Sequence, residues 1–198
     1  MKIAVNTLAA ALYSLKYKLC GAIILLLLAA GATAAKQTSD NEPDLHVIRK
    51  QLLSAMKDGK VTDSLYRSLS ALKNKAPVIT GYLATLEALK AKHAWNPYFK
   101  MKYLNDSEKT FESAVIGDPH NMEIRFLRFS VEHNLPDFLG RNKNLDADKD
   151  EIMAQLNKKN YTKADNHLVK TIINFLLNSN RCSPAEQENL NQHLAALQ

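Results

Sequence analysis

From Met122 to His133 the chain places apolar residues on more than one face of a helix, and such a helix needs neighbours on several sides. Ile124, Leu127 and Val131 form one stripe, and Phe126 and Phe129 widen it. Arg125, Arg128 and Glu132 make the polar strip at spacings of three and four. Asp118 reads as the cap and Pro119 as the first helical residue, where a missing N–H costs nothing. Pro136 disfavours helix at Leu135 and so ends the element. Phe138 and Leu139 are expected to fold back onto the core before Gly140. A chain holding this segment folds around it.

The flanks supply the neighbours. Pro43-Asp44 opens a helix with Leu45, Ile48, Leu52 and Met56 on one face, and Gly59 ends it. Thr62 or Asp63 caps a second, with Leu65, Leu69 and Leu72 inward. Pro77 opens a third carrying Ile79, Tyr82, Leu83, Leu86 and Leu89, with small residues that admit a close neighbour. Asn96-Pro97 starts a fourth, with Met101, Leu104, Phe111 and Val115 inward. Beyond the loop Arg141–Asn144 come a helix with Ile152, Met153 and Leu156, then two capping-box patterns, Thr162–Asp165 and Ser183–Glu186, each before a further helix. No segment alternates with period two. The expectation is all-α: about eight helices in antiparallel hairpins, joined by short loops, over residues 43–198.

Residues 1–35 read as an export signal. Lys2, Lys16 and Lys18 precede the apolar run Ala22–Ala30, and Ala32-Thr33-Ala34 offers a small-x-small cleavage site. The alternative is an uncleaved membrane anchor, since Leu19–Ala35 gives 17 apolar or small residues, at the lower end of what spans a bilayer. Residues 36–42 read as a polar linker. Cleavage removes three lysines and no acids, leaving 23 basic and 20 acidic residues, a net charge of +3. That excess is too small to point to nucleic acid. Cys182 is then the sole cysteine, so no intramolecular disulfide supports the fold.

Ser107, Phe111, Ala114 and Pro119, with Tyr98, resemble the second half of a tetratricopeptide motif within residues 77–133. A longer pattern comprises Ala91–Pro97, Asp118-Pro119, Glu123–Arg128 and Leu135–Gly140. It resembles a family of small exported bacterial helical proteins over roughly residues 45–157. The resemblance implies export and a helical fold, and it implies no reaction.

Two constellations could carry binding. Arg125 and Arg128, one turn apart, suit an anion or carboxylate clamp. The structural alternative is an internal strip in which Arg128 pairs with Glu132 at i, i+4. The second is a basic stretch with interleaved aromatics, Lys90, Lys92, His93, Trp95, Tyr98, Phe99, Lys100, Lys102 and Tyr103. Lysine charge plus aromatic stacking fits a polyanion or glycan. Its structural alternative is a helix corner whose aromatics pack inward while lysine stems lie along them.

The acidic run Asn144–Glu151 fails the calcium-loop pattern in both registers, since neither has glycine sixth nor glutamate twelfth, and reads as an acidic first helical turn. The six histidines lack metal-ligand spacing, and no nucleophile elbow, phosphate loop or dinucleotide fingerprint is present. These observations imply a non-enzymatic interaction or scaffold module with a protein partner in the cell envelope and no cofactor. The alternative is a binder of an anionic envelope ligand.

Overall fold

The computed structural model describes residues 43–160 and 165–197. The expected signal or anchor, the linker at 36–42 and Thr162, Lys163 and Ala164 of the first capping-box pattern lie outside the described residues. The described residues hold eight α-helices and one 3₁₀ turn, and no strand. The all-α expectation holds, with about eight helices as read.

The first helix, α1 (Leu45–Ala55), is capped by Asp44, whose carboxylate accepts from the His46 N–H at 2.8 Å. It ends four residues before Gly59. Gly59 instead begins α2 (Gly59–Ser70), and the cap is Asp58, not Thr62 or Asp63, accepting from Lys60 N–H at 2.7 Å. Thr62 does something else. Fully buried, its hydroxyl donates to the Ala55 carbonyl at 2.7 Å and so ties the two helices together.

Pro77 opens α3 (Pro77–His93), and Asn96 caps α4 (Pro97–Gly117), both as the sequence indicates. These two lie antiparallel. Pro77 meets Gly117 at one end, and Lys90 meets the Tyr103 ring at the other. A Cβ on Gly117 would stand 3.0 Å from Pro77 Cγ, so the close approach depends on glycine. Midway, the Ser107 hydroxyl donates to the Ala84 carbonyl at 2.8 Å. Leu104, Ser107, Phe111 and Ala114 form the inward stripe of α4. Met101, expected inward, is 41% exposed.

Next comes α5 (Met122–Asn134), three residues later than Asp118-Pro119 predict. Asp118 closes a turn instead, accepting the Asn121 backbone N–H at its carbonyl. Asn121 is the cap because its side-chain oxygen accepts from both Glu123 and Ile124 N–H, satisfying two orphan donors. After the 3₁₀ turn Asp137–Leu139, Phe138 is 86% exposed and does not fold back. Arg141 turns inward there, donating to Glu108 at 2.6 Å.

The remaining helices are α6 (Leu145–Asn157), α7 (Asn166–Asn178), capped by Asp165, and α8 (Pro184–Ala196). The capping box at Ser183/Glu186 is present in full. α6 lies antiparallel to α5: Glu132 holds Asn144, the two arginines hold Asp148, and His120 meets Glu151.

Two apolar cores result. One joins α1–α4 to Ile124 and Leu127; the other joins α6–α8 to Met122 and Phe129. α5 therefore serves both, which is why its apolar residues cover more than one face.

Candidate ligand-binding corner

Four helix ends converge at one end of the first core. The His93 ring nitrogen Nε2 stands 3.0 Å from the Ala55 carbonyl oxygen, and Lys92 Nζ donates to the Met56 carbonyl at 2.9 Å, so the C-termini of α1 and α3 meet. α2 starts against the same histidine: a Cβ on Gly59 would stand 3.3 Å from His93 Cβ. α4 leaves two residues after Trp95. Between these ends lies an open groove of about 460 Å³, with Lys60, Asp63, Lys90, Trp95, Phe99 and Tyr103 among its walls.

Lys90 is held in place on this surface. Its Nζ lies 4.4 Å from the Tyr66 ring centroid, 5.0 Å from that of Tyr103 and 3.6 Å from Asp63 Oδ1. Cation–π contact and charge pairing together fix it. Beneath it the Tyr66 hydroxyl donates to Glu87 at 3.0 Å, and burial followed by the Glu87 charge pushes its pKa up. Lys102 donates to Asp106 at 2.6 Å, and that hydrogen bond raises its pKa.

The aromatics do not pack inward. Trp95 is 90% exposed, Tyr98 71% and Phe99 45%. Ring contacts run only along the surface, Tyr98 edge-on to Phe99 and Phe99 stacked on Tyr103. Of the residues the sequence singles out, Lys90 and Trp95 line the groove, Lys92 ties α3 to the end of α1 beside it, and Lys100 and Lys102 follow on the first turns of α4. Lys60 and Asp63 join them from α2, thirty residues earlier. Nothing local in the sequence marks those two, because helix convergence brings them in.

Arg125 and Arg128 line no part of this groove. Arg128 donates to both oxygens of Asp148 at 2.7 Å, and Arg125 donates to Asp148 Oδ1 at 2.9 Å and to the Pro119 carbonyl. Asp148 is fully buried and Arg128 nearly so. Burial pulls the Arg128 pKa down, and the Asp148 hydrogen bonds and charge more than offset it, leaving it raised. The expected partner Glu132 instead accepts from the backbone and side chain of Asn144. Within the acidic run, Asp148 faces the arginines and Glu151 faces His120. Among the described residues no three His, Cys, Asp or Glu side chains converge on a metal position.

A third network lies outside any sequence motif. Arg49 grips Glu123 bidentately at 2.8 Å and reaches Asp165 at 3.0 Å, while the Tyr82 hydroxyl donates to Glu123. Burial first, then the Glu123 charge, pushes the Tyr82 pKa up. This joins α1, α3 and α5 to the cap of α7 and leaves the Glu123 carboxylate engaged from two sides. No family model, curated protein or solved structure matches the chain.

Proposed function

We propose that this chain is an exported, non-enzymatic interaction module, tetratricopeptide-like in its middle, that meets an anionic partner in the cell envelope at the Trp95 corner. One observation carries the reading. A tryptophan, a tyrosine and a phenylalanine stand exposed together among lysines, where a protein of this size could have turned them into either core. Scattered exposed apolar residues need no explanation, but a contiguous aromatic cluster marks a contact surface. Export rests on the pattern of residues 1–35. The tetratricopeptide likeness rests on Ser107, Phe111, Ala114 and Pro119; the first three are buried on the inward stripe of α4, with Ser107 bonded to α3, whereas Tyr98 is exposed. The capture of Arg125 and Arg128 by Asp148 turns the anion reading toward the lysine corner.

The test is photo-crosslinking in the intact envelope, with a photoreactive residue at position 98 and, as control, at exposed position 158. Position 98 should give an adduct, whether with protein, polymer or lipid, and position 158 should not. The adduct should weaken when Lys92 and Lys100 are changed to glutamine. No adduct at 98, or equal adducts at both positions, overturns the reading.

A further inference from the structure

We infer that the partner of this corner is an anionic bilayer surface: Trp95, Tyr98 and Phe99 enter the headgroup region while the surrounding lysines meet lipid phosphates. The inference rests on the binding reading above and names its ligand. It adds a membrane contact in the folded part of the chain, separate from anything residues 1–35 do.

Three features favour a bilayer over a folded partner. The first is shape. Trp95 sits at the turn between α3 and α4 and is 90% exposed, so it protrudes. A folded partner would need a matching pocket, since aromatic hot spots gain their energy when fully enclosed. A fluid headgroup layer closes around a protrusion with no pocket. The second is residue type. Tryptophan and tyrosine have an apolar body and a polar tip, which suits them to the membrane–water boundary. Met56, exposed where the ends of α1 and α3 meet, adds apolar area beside them.

The third is charge. Lys60 and Lys90 line the groove with Trp95 and Phe99, Lys92 lies where α1 and α3 meet, Lys102 lies near the Tyr103 ring, and Lys57 and Lys100 adjoin them in sequence, against Asp58, Asp63 and Asp106. The three acids are occupied: Asp58 caps α2, Asp63 meets Lys90 and Asp106 meets Lys102. Lys57, Lys60, Lys92 and Lys100 have no carboxylate partner among the described residues, so the exposed field is positive. Two such ends would repel, which argues against a second copy as occupant. No described helix is long and apolar enough to cross a membrane, so the contact is with the surface.

Trp95 is the only tryptophan, so its fluorescence reports this corner alone. Residues 43–198 form a compact unit of their own, so the test uses a chain of residues 36–198, its helix content checked by circular dichroism, which removes the apolar N-terminal run. That chain is titrated with vesicles of phosphatidylglycerol and phosphatidylcholine, with vesicles of phosphatidylcholine alone, and with a soluble sulfated dextran. Trp95 emission should shift to the blue on the anionic vesicles and be quenched by lipids brominated near the headgroup. Changing Lys92 and Lys100 together to glutamine should weaken vesicle binding by roughly thirtyfold, from about fivefold per lysine near an anionic surface.

Absence of quenching overturns the inference, and so does equal binding to the zwitterionic vesicles. Binding to dextran alone, or a protein adduct at position 98 with silent vesicles, overturns the lipid and leaves the binding reading standing. Silence in every arm together with no adduct at 98 removes both.

Discussion

Replacing Asp148 by alanine removes the counter-charge of one buried arginine, Arg128, and one half-buried arginine, Arg125. The carboxylate is fully buried and accepts three hydrogen bonds, two from Arg128 at 2.7 Å and one from Arg125 at 2.9 Å. Arg125 keeps the Pro119 carbonyl, at 2.9 and 2.8 Å, and its cost is small. Arg128, with a side chain only 8% exposed, loses the one carboxylate that pairs with it among the described residues. Breaking a buried pair from one side costs about 3–5 kcal/mol. For a domain of this size each kcal/mol is worth about 2–4 °C, so the melting temperature should fall by about 10 °C. Thermal and urea unfolding followed by circular dichroism reads this directly. Adding Arg128→Met to Asp148→Ala should recover most of the loss, because an apolar pair replaces a stranded charge. A loss below about 1 kcal/mol, or a double variant no better than the single, would refute the structural assignment and return Arg128 to candidacy as a ligand clamp.

Trp95→Ala should change stability by less than about 0.5 kcal/mol, since the side chain touches little, while abolishing the crosslink and vesicle signals; a clear drop in melting temperature would show that it is structural. The Glu186 carboxyl is held down to about 2, by Lys149 first and the Ser183 backbone next. Its contribution is therefore present above the ordinary carboxylate range, ~4.3, and is lost as pH falls toward about 2. Glu186→Gln should flatten the decline in melting temperature across that window, and an unchanged acid limb would contradict it. The Cys182 thiol is pushed up by burial and then by the Glu186 charge, so it should react with a thiol reagent at neutral pH more slowly than free cysteine. Faster labelling would contradict the half-buried placement.

What could be read from the chain follows the range of the interaction. Asn96-Pro97 and Ser183–Glu186 predict their helix starts because a cap and its orphan donors lie within four residues, and Pro77 predicts its own, with no side-chain cap, because proline suits the first helical position. The start of α5 is misjudged because two candidate caps compete. Asn121, satisfying two N–H groups, prevails over Asp118, whose carbonyl closes the preceding turn. α2 is misjudged for a related reason: Thr62 looks like a cap until its hydroxyl finds the Ala55 carbonyl. The partner of Arg128 is illegible, since Glu132 is four residues away and Asp148 twenty, and only the α5–α6 packing decides between them. The corner is half legible. Its lysines and aromatics are contiguous in sequence, but their exposure depends on where α3 ends, and Lys60 and Asp63 arrive from another helix.

The double duty of α5 has a further consequence. Ile124 and Leu127 belong to one core, Met122 and Phe129 to the other, so neither half can melt without baring an apolar side of the shared helix. Arg49 reinforces this by holding Glu123 on α5 and Asp165 at the cap of α7 at once. Residues 43–134 on their own would present Phe129 and Met122 to water, and residues 135–198 would lack the wall that Phe129 supplies. The chain is thus an arch with one keystone: a single thirteen-residue helix walls both cores, Arg49 and Asp165 clasp the flanks directly beside it, and the two should rise or fall in one transition.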